Sequence, residues 1–482
     1  MPTSRSRSTL TLGVTATLAF AWLAFRASYQ SITIDEATTW LVFAGRTPDF
    51  LFFPANNNHL LNTILIYCAT HLLGLSHLTV RLPALLGAAI YILSALTLVR
   101  RLPATLILTW PLFACLVLNP LLADFLIAAR GYSLALGFLF AGIAIGTAEP
   151  TRSPLRQCAL CSLCAALSFL ASFAFAFAAA SMLAVLWIVR FRRNASLAAT
   201  LTATILPGLL LTVLIAGYPL AHWPAGELWY GSHSLAEMYD SLAKPSFIRP
   251  DPIVIPATAY HALNAIAPYL FPLIAILLVA QLLCLRPAAA LLPAAILLLT
   301  ITMHSTAFHA FGLLLPKHRT GIFLIALATL LTGAIAAIPP PHRLARSIQT
   351  ALIANLWILA GFYLICFRYS YFSEWRWNAE THESYTRVHH LEKAGCAKTV
   401  GVSWRYAAAF NFYRDMYGEH NRQEFQPGTA LPEQRDVYLL HPIFDHDFIA
   451  RNHLRQTYTG ESGELTLAES PAVTACESSQ LP

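Results

Sequence analysis

The sequence predicts an all-α polytopic membrane protein of about eleven transmembrane helices, with a small extracytoplasmic α/β domain at its C-terminus. Three observations carry that expectation. Charged residues make up only 11% of the chain and hydrophobic ones 57%, with a mean hydropathy of +0.57; an ordinary soluble domain carries roughly 25% charge. Apolar runs of about 18 or more residues recur along most of the chain, each long enough to cross a hydrocarbon core of roughly 30 Å as a helix. Beyond about residue 368 these runs stop and a polar segment of mixed charge begins. The net charge of +7 does not point to nucleic acid, because many of the arginines sit in short loops where they set orientation.

The start, "MPTSRSRSTLTLGVTATLAFAWLAF", has the basic lead and apolar stretch of a signal peptide. The many spans that follow favour an uncleaved first helix, with Arg5 and Arg7 in the cytoplasm and the chain after Phe25 outside. Taking "VRR" (99–101), "TRSPLR" (151–156), "RFRR" (190–193), "LRP" (285–287) and "PHRLAR" (341–346) as cytoplasmic fixes the parity of the rest. The spans are then about 9–26, 82–99, 104–121, 125–147, 157–170, 172–189, 197–217, 262–284, 288–306, 320–338 and 348–367. The run "LLNTILIYCATHLLGL" (60–75) cannot cross without moving "VRR" outside, so it is expected at or dipping into the outer interface. The pair 157–170 and 172–189 could instead be one long tilted helix; parity prefers two, broken near "ASFAF".

In the tail, an amphipathic helical pattern around 380–394 precedes two short strand patterns, "KTVGVS" and "DVYLLHP" (436–442). The expected organisation is a transmembrane module, 1–367, with a first outside loop, 27–81, and a soluble appendage, 368–482, on the same outer side. Cys158, Cys161 and Cys164 in "CALCSLC" recur every third residue of an apolar helix and read as small packing residues rather than ligands. Cys396 and Cys476 fall in the polar tail, where an extracytoplasmic location would let them form a disulfide.

Sorted by side, the informative polar residues collect on the outer face. They are Asp35 and Glu36 in "SITIDEATTW", Asn58 and His59 in "NNNHLLN", and Arg81 at the start of the second span. Asp124, Arg130 and Tyr132 in "ADFLIAARGYSLAL" and Lys317, His318 and Arg319 in "LPKHRT" join them. Ionisable groups at the ends of spans are costly to bury, and several on one side suggest a site. A carboxylate opposite Arg, Lys and His suits an acceptor hydroxyl that must lose a proton while cations hold a phosphate leaving group. That chemistry is glycosyl transfer from a lipid-linked phosphosugar.

Each residue also has a plainer reading. Asp35 and Glu36 could be helix N-terminal acids, Arg81 a snorkelling interfacial cation, and Asn56 to Asn58 turn formers. Arg130, Tyr132 and the Lys317 to Arg319 cluster could be belt and headgroup anchors. Asp124 could pair with Arg130, although a six-residue separation is not an ideal one-face spacing. Trp223, Trp229 and Tyr230, in the outside loop 218–260, suit either a sugar platform or interface anchoring.

The order of these elements resembles the GT-C superfamily of integral membrane glycosyltransferases, in its protein O-mannosyltransferase and aminoarabinose-transferase-like, glycosyltransferase family 39-like, branch. The resemblance rests on the Asp-Glu pair in a long first loop, "NNNHLL" before an interfacial helix, "RLPALLGA", "ARGYSLAL" and a late "LPKHRTGIFL", and it covers about residues 1–340. It implies a GT-C-type inverting transferase that uses a polyprenyl-phosphate-linked sugar donor, with the first-loop acid as catalytic base. That role falls to Asp35, with Glu36 as second candidate. The donor phosphate is expected at Arg81, Arg130, Lys317, His318 and Arg319, and the substrate at Asn58, His59 and Tyr132. His59 stands where the family often has His-Pro-Pro, but "HLL" lacks both prolines. Some members use a divalent metal ion, for which Asp35, Glu36 and His59 are suitable ligand types, and the sequence leaves that question open. The acceptor is a glycan, a lipid or a protein, membrane lipids surround the chain, and the expected location is a bacterial inner membrane with the site and tail extracytoplasmic. The alternative is a transporter or flippase of a lipid-linked sugar. Such a path places ionisable groups at mid-membrane depth, whereas 262–284 and 288–303 contain no acid or base.

Overall fold

A computed structural model of the chain describes residues 4–149, 153–192, 196–224, 226–247, 256–284, 291–426 and 434–480. The basic loop "LRP", Arg152 of "TRSPLR" and Arg193 of "RFRR" lie outside them. The helices in chain order are α1 (Ser4–Tyr29), α2 (Ile34–Thr38), α3 (Leu60–Leu73), α4 (His77–Arg101), α5 (Leu106–Leu118), α6 (Pro120–Phe125), α7 (Tyr132–Gly146), α8 (Pro154–Ala171), α9 (Ala176–Leu186), α10 (Leu197–Ala221), α11 (Leu235–Ala243), α12 (Ala257–Cys284), α13 (Leu291–Phe311), α14 (Ile322–Ala336) and α15 (Arg343–Ile365). The tail adds α16 (Thr381–Lys393), α17 (Trp404–Met416), α18 (His446–Arg451) and α19 (Pro471–Gln480). They pack as two compact units. The first is Met1–Phe25, Phe52–Asn62 and Pro83–Arg368; the second is Arg26–Leu51, Thr63–Leu82 and Tyr369–Pro482.

The protein is a polytopic helical membrane protein, and each expected crossing has its helix. Among the described residues, eight helical runs are long and apolar enough to cross a membrane: Ser8–Tyr29, His77–Arg101, Pro154–Ala171, Phe173–Phe191, Leu197–Ala221, Leu292–Phe311, His318–Ala336 and Arg343–Ile365. The expectations at 104–121, 125–147 and 262–284 meet shorter apolar helices, α5, α7 and the Tyr269–Cys284 part of α12. Helix α3, expected at the interface, has 14 residues. It extends about 21 Å, much as α5 and α7 do with 13 and 15 residues, so its length does not by itself set it apart from them. The break between 157–170 and 172–189 falls at the 3₁₀ turn Phe173–Phe175.

One boundary differs in an informative way. The expected span 125–147 becomes a helix only at Tyr132, after an irregular buried stretch from Leu126 to Gly131. Asn119 starts the interruption: its Oδ1 accepts the Leu121 and Leu122 amides at 3.0 and 3.2 Å, with Pro120 next in the chain. Gly131 ends it at φ 76°, where a Cβ would lie 2.1 Å from the Ala171 carbonyl oxygen. Only glycine fits that conformation and that approach. Irregular backbone between apolar helices is tolerated where protein surrounds it, which is the case here.

Helix α7 is then fixed against α4. A Cβ on Gly87 would fall 2.3 Å from the Leu134 nitrogen, and Ser133 Oγ donates to the Ala84 carbonyl at 2.6 Å. Small residues let the two backbones touch, as at other membrane helix interfaces. This contact sets the height of Tyr132, the first residue of α7.

The second unit holds a four-stranded sheet of order β1-β2-β4-β3, with β1 (Val400–Val402), β2 (Val437–Leu440), β3 (Arg455–Thr459) and β4 (Thr466–Glu469). The β1–β2 pair is parallel and the other two are antiparallel. The central strands β2 and β4 are buried along their length, and Tyr438, Leu440, Ile449 and Ala468 form a core on one side. The sequence patterns at "KTVGVS" and "DVYLLHP" correspond to β1 and β2, and the amphipathic stretch to α16. The same unit contains Arg26–Leu51 and Thr63–Leu82, so most of the stretch 27–81 packs with the tail.

Cys396 and Cys476 are joined in a disulfide that spans 80 residues. Closing a loop of that length restricts the unfolded chain by about 4 kcal/mol. Replacing both cysteines by serine should lower the unfolding free energy of this unit by about that amount in a denaturant titration. Peptide mapping without reductant should recover the linked pair from the parent; two alkylatable thiols there would contradict the bond.

Candidate functional site

Two groups of the expected site residues form, one in each unit. In the second unit, Thr33 caps α2: its Oγ1 accepts the Glu36 amide at 3.2 Å, and Glu36 Oε2 accepts the Thr33 amide at 3.0 Å. This reciprocal arrangement is a capping box. Arg81, from the second turn of α4, donates Nε to Glu36 Oε1 at 2.8 Å and Nη2 to Oε2 at 2.7 Å. Its Nη1 also donates to the carbonyls of Ala27 and Gln30 at 3.0 and 2.8 Å, and Nη2 to that of Ser31 at 2.9 Å. Both side chains are 0% exposed.

A guanidinium has five N–H donors, and all five are used here. Two expectations are corrected on that ground. Arg81 has no N–H left for a donor phosphate; its contacts hold the backbone of Ala27, Gln30 and Ser31 and the Glu36 side chain together. Glu36, with both oxygens engaged and no solvent contact, is not placed to take a proton from a substrate. Its neighbour Asp35 differs, being partly exposed in the first turn of α2, directly before the π-turn Thr39–Ala44.

The backbone around Asp35 is held by the tail. The amide of Ile32 donates to Tyr413 Oη at 2.9 Å, that of Ile34 to Asn378 Oδ1 at 2.9 Å, and Ser31 Oγ to the Ala379 carbonyl at 2.6 Å. Burial pushes the Tyr413 phenol up to about 12, which keeps it protonated at neutral pH. None of these tail residues had been singled out in the sequence.

In the first unit the polar residues gather around Phe125. Its ring meets Tyr132 edge-on at 5.4 Å and His318 edge-on at 5.8 Å, and Tyr132 in turn meets His59 at 4.9 Å. His59 is buried, with Nδ1 3.1 Å from the Ala171 carbonyl. A carbonyl can only accept, so Nδ1 carries the hydrogen. Burial, and then the charges of Arg130 and Arg319, hold His59 well below its usual value of 6.5, so the ring is neutral. Arg130 is buried and donates Nη1 to the Asn57 carbonyl at 3.4 Å.

The "LPKHRT" segment presents its three basic residues separately. Lys317 Nζ is 2.7 Å from Glu237 Oε1, and that ammonium, with the His233 amide, holds the Glu237 carboxyl below the usual range. Arg319 lies over the Tyr230 ring at 4.4 Å. His318 takes a left-handed backbone, φ 50°, and its amide donates to Ser241 Oγ at 3.0 Å.

Asn58 serves its own turn, donating Nδ2 to the Phe53 carbonyl at 2.9 Å. Asp124, considered beside Arg130 in the sequence, forms a buried ion pair with Arg368. Glu237 and Arg368 carried no sequence signal, because each lies far along the chain from its partner. Among the described residues no three His, Cys, Asp or Glu side chains gather as a metal ion would need. Of the three candidate ligands, Glu36 is taken by Arg81 and His59 Nδ1 faces a carbonyl.

Removing one member of a buried, fully hydrogen-bonded pair leaves the other charge uncompensated, at about 3–5 kcal/mol. Arg81→Ala should therefore lower the thermal midpoint markedly, and Arg81→Lys should recover little, because an ammonium cannot copy the five-donor fork. The sign for His59 follows from its depressed folded value. Above the ordinary 6.5 it is neutral in both states and adds no pH dependence; as pH falls through 6.5 the unfolded state gains a proton first and stability drops. Urea titrations across that range should show a shallower acid-side fall for His59→Gln than for the parent.

No model of a protein family matches this sequence, and no curated protein matches it. Two solved structures are similar to it, both crystal structures of ArnT from Cupriavidus metallidurans. The one bound to undecaprenyl phosphate is 10% identical, with a TM-score of 0.49 over 96% of this chain and 98% of that chain. The apo structure is 10% identical, with a TM-score of 0.48 over 98% of this chain and 99% of that chain.

Proposed function

We propose that the protein is an integral membrane glycosyltransferase that moves a sugar from a polyprenyl-phosphate donor to an acceptor on the extracytoplasmic face, with Asp35 as catalytic base. The observation that carries this reading is the division between two adjacent carboxylates. Glu36 is locked by Arg81 and by its own capping box, and Asp35 is partly exposed on the frame that Glu36 makes rigid. A general base needs a fixed backbone and a side chain that is not sealed from solvent. The GT-C resemblance of the sequence assigns the same residue.

In the proposed reaction Asp35 accepts the proton of an acceptor hydroxyl as its oxygen bonds to the anomeric carbon. The bond from that carbon to the phosphate oxygen breaks on the opposite side, and the polyprenyl phosphate leaves with the electron pair. It is the sequence resemblance that assigns that phosphate to Arg130 and Arg319 and the sugar to His59 and Tyr132; within the first unit Lys317 is held beside Glu237, and His59 is neutral beside Tyr132. The acceptor is a glycan, a lipid or a protein.

The proposed location is a bacterial inner membrane with the tail outside. Basic loops on the opposite side and the Cys396–Cys476 disulfide, which needs an oxidising compartment, support that orientation.

The test is transfer of radiolabelled sugar from polyprenyl-phosphate donors in proteoliposomes. Asp35→Asn should lower the rate by about 10²–10⁴, the usual share of a general base, with the unfolding midpoint unchanged. Arg130→Gln and Arg319→Gln should each weaken use of the donor by about tenfold or more, as expected for a charge-assisted contact. Full activity in Asp35→Asn would remove that residue from the mechanism. Movement of intact donor across the bilayer by a parent that transfers nothing would favour the transporter reading.

A further inference from the structure

At the arginine-rich end of the first unit, helices α4, α7 and α8 enclose a cavity of about 640 Å³, within the range of small-molecule sites. Its lower wall is apolar, with Leu93, Ile145 and Leu160. Leu93 is 61% exposed and Leu160 39%, so the cavity is open sideways at a depth where hydrocarbon surrounds a membrane helix. The mouth carries Arg101 and Arg156. Arg101 is held in place, donating Nη1 to the Ala144 carbonyl and to Thr147 Oγ1, while its Nε and Nη2 make no hydrogen bond among the described residues. Arg156 is exposed and has no ion pair or hydrogen bond among the described residues.

A second feature points inward. Ser94, only 8% exposed, lines the same cavity and finds no hydrogen-bond partner among the described residues. Its hydroxyl opens on the cavity rather than being sealed in protein, so its hydrogen-bond partner there comes from whatever fills the cavity. Along α4, Ser94 lies about 10 Å below Arg101 and Thr97 about 6 Å below it, at 1.5 Å per residue. A headgroup layer is roughly 5–8 Å thick. Thr97 therefore sits at its inner edge and Ser94 just beneath, where a glycerolipid has its ester carbonyls.

We propose that this cavity seats one anionic phospholipid of the cytoplasmic leaflet. Its phosphate lies at Arg101 and Arg156, an ester carbonyl accepts from Ser94, and an acyl chain runs along Leu93, Ile145 and Leu160. The charge favours an anionic lipid over a zwitterionic one. Among the described residues no acid lines the cavity; Glu149, exposed beyond the end of α7, is the acid nearest to it in sequence, against Arg100, Arg101 and Arg156. A choline or ethanolamine group would add a third cation beside the two arginines. The site is independent of the proposed transfer chemistry.

Native mass spectrometry of the full-length protein in detergent tests it, with phosphatidylglycerol and phosphatidylcholine of matched chains and with inorganic phosphate. The parent should retain phosphatidylglycerol at least about fivefold over phosphatidylcholine, the gain expected from one arginine near an anionic headgroup. The Arg101→Gln, Arg156→Gln double variant should lose that preference. Ile145→Trp, which fills the chain groove and leaves both arginines, should lose the bound lipid. Because Arg101 also caps α7, Arg156→Gln alone decides if the double variant does not fold, and it should cut the preference severalfold. Equal retention of the two lipids by the parent, an unchanged preference in the arginine variants, or lipid retained by Ile145→Trp as by the parent would overturn the proposal. Inorganic phosphate that displaces phosphatidylglycerol at comparable concentration would show a free-anion site instead.

Discussion

The buried pair of Glu36 and Arg81 is the constraint on which the loop between α1 and α4 depends. A charge pair taken out of water is stable only when its remaining donors and acceptors are also satisfied. Here the three carbonyls of Ala27, Gln30 and Ser31 complete the arginine, and the Thr33 amide completes the carboxylate. The same contacts close the C-terminal end of α1, whose last carbonyls would otherwise lack partners, and fix the N-terminus of α2 to the start of α4. Three chain segments are thus joined through one guanidinium. Asp35 is positioned without forming that lock itself, because its neighbour in sequence is anchored on both sides.

The tail contributes to the same rigidity. Tyr413, Asn378 and Ala379 take up polar groups of residues 31–34 that neither α1 nor α2 can satisfy. The tail is therefore involved in shaping the loop that carries the two acids. An account of the tail as a mere appendage would miss this, and a compact unit that includes Arg26–Leu51 makes the dependence concrete.

Hydropathy and loop charge made the membrane helices legible, because the cost of bringing backbone and charge into hydrocarbon writes itself directly into composition. The polar residues near the ends of the spans stood out against that composition for the same reason. Their partners were not. Glu36 and Arg81 are 45 residues apart, and Asp124 and Arg368 are 244 apart, so no local spacing links them. Asp35 and Glu36 look equivalent in the first turn of a short helix, and only the long-range contact separates their roles. The late start of α7 was hidden because the stretch before it is as apolar as a helix; the signal was the single glycine in "ARGYS". Strand β3, "RQTYT", has little apolar content and is largely exposed at the sheet edge, which leaves no pattern to read.

The basic residues of the first unit's group, Arg130, Lys317, Arg319 and Arg368, sit off the α-helices, and this has a physical reason. A regular helix presents side chains at fixed angular steps, so three consecutive basic residues would point in three directions about one axis. At "LPKHRT" the chain instead passes through a left-handed residue, His318, which costs of order 1–3 kcal/mol for a non-glycine side chain. The bond to Ser241 and the Phe125 contact hold it there. With the chain turned at that point, Lys317 reaches Glu237 and Arg319 reaches Tyr230. Arg130 and Arg368 approach from two other segments, Arg368 paired with Asp124 and Arg130 bonded to the Asn57 carbonyl. Burial, with the charges of Arg130 and Arg319, keeps His59 neutral beside them, so its ring adds no further positive charge to a region already rich in cations. A left-handed residue at His318 is thus the local cost of separating three consecutive basic side chains onto three different partners.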